Sequence, residues 1–97
     1  MLTTFILSQS RLDARKLKIL IKSICNLPLA TLELSSCQLN DENCGKAIGA
    51  FLMKNETLKS LELKGNYLET KALEAIGYGL RQFRGTLDYI GWHFLLQ

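Results

Sequence analysis

Apolar residues in the stretch 58–68 fall at Leu58, Leu61, Leu63 and Leu68, with polar or charged residues between them. The step of two from Leu61 to Leu63 is strand periodicity. It turns both leucines to one face and Ser60, Glu62 and Lys64 to the other. Asn66 closes the strand with an amide suited to backbone groups that no ladder reaches. The same pattern stands 29 positions earlier at Leu29, Leu32, Leu34, Cys37 and Leu39, and 29 later at Leu87, Ile90 and Trp92. A shift of 27 from the Leu29 copy places Leu2, Phe5, Leu7, Ser10 and Leu12 on it as well.

Between these strands the period changes. Leu17, Leu20, Ile21 and Ile24 fall at i, i+3, i+4 and i+7, which predicts a helix with one apolar stripe, capped by Asp13. Arg15, Lys18 and Lys22 lie off that stripe, either as a solvated face or as a surface for an acidic partner such as an anionic filament. Pro28 ends the segment. A second helix follows Asp41 with the stripe Cys44, Ala47, Ile48 and Phe51. A third follows Thr70 as cap, with Leu73, Ile76, Gly77 and Leu80 inward and Gly85 as the left-handed residue after it.

Strand and helix periods thus alternate in phase three times, and neither element buries its apolar face alone. Stacked copies line parallel strands along an inner curve and helices along an outer one. The strand pattern, L-x-x-L-x-L-x-x-N/C-x-L, resembles the leucine-rich repeat. The resemblance implies an α/β fold: a short right-handed arc of leucine-rich-repeat solenoid, with strands on the concave face and helices on the convex face. Residues 1–97 then form one array, with repeats 2–28, 29–57 and 58–86 and a partial fourth at 87–97. The period and the helical convex side resemble the ribonuclease-inhibitor-like class. Leu12-Asp13-Ala14-Arg15 and Leu39-Asn40-Asp41-Glu42-Asn43-Cys44 look like the start of the repeat region in the dynein regulatory complex subunit 5 family. That similarity implies a structural or regulatory role in the ciliary axoneme, with axonemal complex subunits as partners. The tail Gly91-Trp92-His93-Phe94-Leu95-Leu96-Gln97 departs from the family, where the strand continues into another turn and helix.

Composition narrows the function classes. The chain has 97 residues, 47% hydrophobic and 22% charged with one Pro, which suits one ordered domain. A net charge of +3 falls short of a nucleic-acid-binding signature, and the basic first helix carries no aromatics for base stacking. No apolar run approaches a membrane span. The start, Met1 through Leu7, lacks the basic region and cleavage site of a secretory signal. Three irregularly spaced cysteines fit a reducing compartment, so a cytoplasmic location is expected, with the cilium implied by the family resemblance. In that compartment the sequon Asn55-Glu56-Thr57 carries no glycan.

Candidate chemistry is sparse. Cys25, Cys37, Cys44 and His93 lack the paired spacing of a zinc site, and each cysteine already has a place in the repeat. Gly45-Lys46-Ala47 falls in a helix and lacks the rest of a phosphate loop. No nucleophile, base and orienting acid are arranged together. The reading is a non-enzymatic protein-binding module without cofactors. Its alternatives are a truncated repeat product with only a structural role, or a generic intracellular scaffold or inhibitor.

The surface left for binding is the outward face of the sheet. Its columns are Thr4, Thr31, Ser60 and Tyr89; Ile6, Glu33, Glu62 and Gly91; and Ser8, Ser35, Lys64 and His93. Thr31, Glu33, Ser35, Ser60, Glu62, Lys64 and Tyr89 are the candidate site residues. Glu33 and Glu62 stand as like charges on adjacent strands, with Lys64 near enough to answer Glu62. Open sheet edges and the apolar tail Trp92, Phe94, Leu95 and Leu96 predict self-association of the isolated chain, as expected for a fragment of a longer array.

Overall fold

Four strands alternate with three helices in the computed structural model, which describes residues 3–91. The order is β1 (Thr3–Ile6), α1 (Ala14–Ile24), β2 (Leu29–Glu33), α2 (Glu42–Lys54), β3 (Ser60–Glu62), α3 (Thr70–Gln82) and β4 (Tyr89–Gly91). The strands form one parallel sheet in the order β1-β2-β3-β4. Parallel neighbours need a crossover connection, and each helix supplies one. The fold is α/β. Leu2 and residues 92–97, with Trp92, His93, Phe94, Leu95 and Leu96, lie outside the described residues.

Register follows the apolar pattern. Phe5, Leu32, Leu61 and Ile90 pair across the sheet in one row, and Thr4, Thr31, Ser60 and Tyr89 in the next. One backbone bond recurs just past the strand ends. Leu7 N–H donates to the Glu33 carbonyl at 2.9 Å, Leu34 N–H to Glu62 at 2.9 Å, and Leu63 N–H to Gly91 at 2.7 Å. Each unit therefore locks onto the next through the same atoms.

Leu32 and Leu61, both inaccessible, belong to one core with Leu17, Ile48, Phe51 and Ile76 from the helices. The helices thus cover the face of the sheet that carries the leucines. At the two edges of the same row, Phe5 is half-buried and Ile90 is 38% exposed, because an edge strand has a neighbour on one side only. Asn55 is buried as well. Its Oδ1 accepts the N–H groups of Thr57 and Leu58 at 2.9 and 2.8 Å, so this amide shapes the turn into β3.

The helix starts divide in two. Asp13 and Asp41 accept the N–H groups of Lys16 and Cys44 at 2.8 and 3.0 Å, the N-cap geometry that their sequence positions suggest. Thr70 is not the third cap. It is the first helical residue, and Glu69 takes the N-cap position without a side-chain bond. The helix enters one residue earlier than the strand spacing implies, which rotates its buried face. Ala72, Ile76 and Gly79 are buried, Leu73 and Leu80 are half-buried, and Gly77 meets nothing within 4 Å of where a Cβ would stand. Gly85 does not adopt the left-handed conformation either. The helix stops at Phe83 with φ −67°, and the Phe83 N–H turns back to the Leu80 carbonyl at 3.2 Å.

Small residues explain how α2 and α3 approach. A Cβ on Gly79 would land on the Gly49 backbone, and one on Gly45 would land on that of Ala72. The two helices touch main chain to main chain.

Candidate functional site

The sheet face away from the helices carries the polar columns. Thr31, Glu33, Ser60 and Glu62 are half-buried, and Thr4, Ile6 and Tyr89 are exposed. Glu33 and Glu62 are direct partners in the β2–β3 register, so the two acidic side chains leave adjacent strands at the same level. Their backbones are fixed by the ladder, and their side chains alternate away from Leu32 and Leu61.

Glu62 is the better-held of the two. Its carboxylate accepts the Tyr89 hydroxyl at 2.7 Å and the Lys64 backbone N–H at 3.1 Å. The Tyr89 ring reaches it across Gly91, where a Cβ would strike both the carboxylate and the phenol oxygen. Glu33 has a weaker partner, the Ser35 hydroxyl at 3.5 Å. The Tyr89 phenol is pushed above its usual value of 10.0, chiefly by the hydrogen bond to Glu62, then by desolvation and the charges of Glu62 and Glu33. A carboxylate acceptor favours the neutral phenol over a phenolate.

Two candidate residues sit differently from the sequence expectation. The Lys64 ammonium makes no ion pair among the described residues; its backbone N–H answers Glu62 instead. The strand ends at Glu62, so Lys64 lies in the turn beyond it, where alternation no longer sets the side-chain direction. Ser35 likewise lies past β2 and is buried, with its carbonyl accepting the Gln9 N–H at 3.1 Å. The surface brought together is therefore Thr31, Glu33, Ser60, Glu62 and Tyr89, with exposed Lys64 at its end.

The cysteines are free. Cys37 and Cys44 are buried and Cys25 half-buried. Burial pushes the Cys37 and Cys44 thiols up from their usual range. Among the described residues, no three His, Cys, Asp or Glu side chains gather as a metal site would require, and no helix is long and apolar enough to cross a membrane.

Sequence reasoning missed a groove on the helical side. A groove of about 670 Å³ runs between α1 and α2, and Arg15, Lys18, Lys22, Lys46 and Lys54 line it. The three α1 cations were visible in the sequence as an off-stripe group. Lys46 stands 28 positions after Lys18, the same interval that separates the caps Asp13 and Asp41, and that spacing was the available signal.

Compared with known proteins, the chain matches no family model, and no curated protein matches it.

Proposed function

We propose that this protein is a non-enzymatic interaction module, a short arc of leucine-rich-repeat solenoid that binds a basic protein segment on its outward sheet face. The observation that carries the reading is the Glu33–Glu62 pair. Two adjacent carboxylates on a rigid ladder, with no cation paired to either among the described residues, cost stability until a positive group arrives. A bound Lys or Arg turns that repulsion into attraction. Exposed Ile6 and Tyr89 on the same face offer apolar contact beside the charges. The recurring inter-unit bond and the turn positions of Cys37 and Asn66 support the solenoid reading. The resemblance to the ciliary family implies that the partner is an axonemal subunit; the surface itself asks only for a basic segment.

Calorimetric titration with a Lys/Arg-rich synthetic peptide tests the site. Glu33→Lys combined with Glu62→Lys should abolish binding while leaving circular dichroism unchanged. Unaltered affinity in the double variant would remove the sheet face from consideration.

A further inference from the structure

The groove between α1 and α2 is lined from the first turn to the last of both helices, from Ala14 to Cys25 on one and from Asn43 to Lys54 on the other. Its floor is apolar, built from buried Ile21 and Phe51 and half-buried Ala47. Ala50 stands exposed on its wall. Arg15, Lys18 and Lys22 line the α1 side, Lys46 and Lys54 the α2 side, and no acidic residue lines it. Among the described residues only Lys46 of these five has an ion-pair partner, Glu42 at 3.3 Å, and that pair is largely in solvent. Such an exposed pair holds its cation weakly. The α2–α3 contact closes backbone to backbone, whereas here alanines leave the space open.

Shape and charge together select the occupant. A nucleic acid or a small anion would satisfy the cations but leave the apolar floor in water. A second copy docking by the same face would set these cations against each other. The 11 residues of α1 span about 16 Å, room for roughly three turns of a third helix laid alongside. An amphipathic helix in a groove anchors through i, i+3, i+4 and i+7. We infer that the α1/α2 groove docks an acidic amphipathic helix of a partner protein, its apolar stripe on Ile21, Ala47 and Phe51 and its carboxylates against the flanking cations. This surface is separate from the acidic sheet face and takes a partner of opposite charge.

The test uses two synthetic helical peptides of about four turns. One carries Leu at i, i+3, i+4 and i+7 flanked by Glu; the other has the same composition with the apolar stripe scrambled. Fluorescence anisotropy reads affinity, and the rate of iodoacetamide modification at half-buried Cys25, on the groove lining, reads location. The ordered peptide should bind, weaken as salt rises and slow Cys25 modification. The scrambled peptide should bind about tenfold more weakly or worse. Lys18→Glu with Lys22→Glu should weaken binding by a similar factor, whereas Arg84→Glu, beyond α3, should not. Ala50→Trp fills the groove from an exposed position without touching a charge and should abolish binding, with circular dichroism reporting the fold. Equal binding by the scrambled peptide or by a short anionic oligonucleotide would reduce the groove to a general cationic surface and overturn the inference. So would insensitivity to both groove variants. A change of oligomeric state in Lys18→Glu/Lys22→Glu, seen by light scattering without peptide, would assign the groove to a second copy of this chain instead.

Discussion

Asn66 reaches back across 29 residues to Cys37, whose backbone N–H its Oδ1 accepts at 2.9 Å. The same oxygen accepts the Leu39 N–H at 3.1 Å, and its Nδ2 donates to the Leu34 and Leu63 carbonyls at 2.8 and 2.9 Å. Cys37 repeats the gesture one unit earlier, its thiol donating to the Leu7 carbonyl at 3.4 Å. Both side chains are inaccessible. The turn position thus ties each unit to the one before it, and the amide does so with all its hydrogen-bonding capacity used.

Asn66→Ala should therefore be severe. It leaves the Cys37 and Leu39 N–H groups buried without partners, at about 1–3 kcal/mol each. A small domain holds only about 5–15 kcal/mol in total. Urea unfolding should show the midpoint fall steeply, with a slope unchanged if the native state stays compact. A midpoint equal to the parent's would mean that water replaces the amide.

Gly77 and Gly79 lie two residues apart in α3 and should respond with opposite signs. Gly77→Ala meets open space and removes a flexible residue from a helix interior, a gain of about 0.5–1 kcal/mol. Gly79→Ala drives a methyl into the Gly49 backbone, where neither helix can yield locally; overpacking of this kind costs about 1–3 kcal/mol. Thermal melts of the two variants should bracket the parent.

These glycines also mark where the sequence stops being legible. The strand registers could be read in advance, because a period of two admits no slip without exposing Leu32 or Leu61. The caps Asp13 and Asp41 were legible from residue chemistry. The phase of α3 was not: counting 29 residues from Asp41 reaches Thr70, while the chain uses 28 and starts from Glu69. A one-residue change in a linker turns a helix by about 100°, and nothing in the apolar spacing alone records it. Gly45, Gly49 and Gly79 look like weak helix positions until the neighbouring backbone is placed against them. On the candidate site, the Glu33–Glu62 column was legible, but the burial of Ser35 and the role of the Lys64 backbone depended on where the strands end.

Thiol reactivity should divide the cysteines. Cys37 and Cys44 are buried with thiols pushed up, so little thiolate forms near neutrality and reagent cannot reach it. Cys25 is half-buried at the end of α1. Under native conditions a disulfide reagent should modify one thiol promptly and the other two only as the fold opens, with all three reacting at once in denaturant. Mass spectrometry of the early product should place the label on Cys25. Early labelling of Cys37 would mean that the turn it anchors opens on its own.

The last expectation concerns Tyr89 and Glu62. The phenol is raised above 10.0 because its proton is held by the Glu62 carboxylate, so the folded state retains a proton that the unfolded state has begun to lose. Its contribution is fully present below the unfolded phenol's value and is lost as pH rises through the raised folded value; stability should decline with pH only in that alkaline window. Glu62→Gln keeps a hydrogen-bond acceptor but removes the charge, and should return Tyr89 toward 10.0. Tyrosine-selective NMR titration resolves Tyr89 from Tyr67 and Tyr78, which lie elsewhere in the fold. Observing the Tyr89 titration unmoved in Glu62→Gln would show that the negative charge of Glu62 does not govern the phenol, leaving the hydrogen bond itself, desolvation and Glu33 to account for its rise. A basic segment bound to the sheet face should lower the same midpoint by screening both carboxylates, so the titration doubles as a reporter of occupancy there.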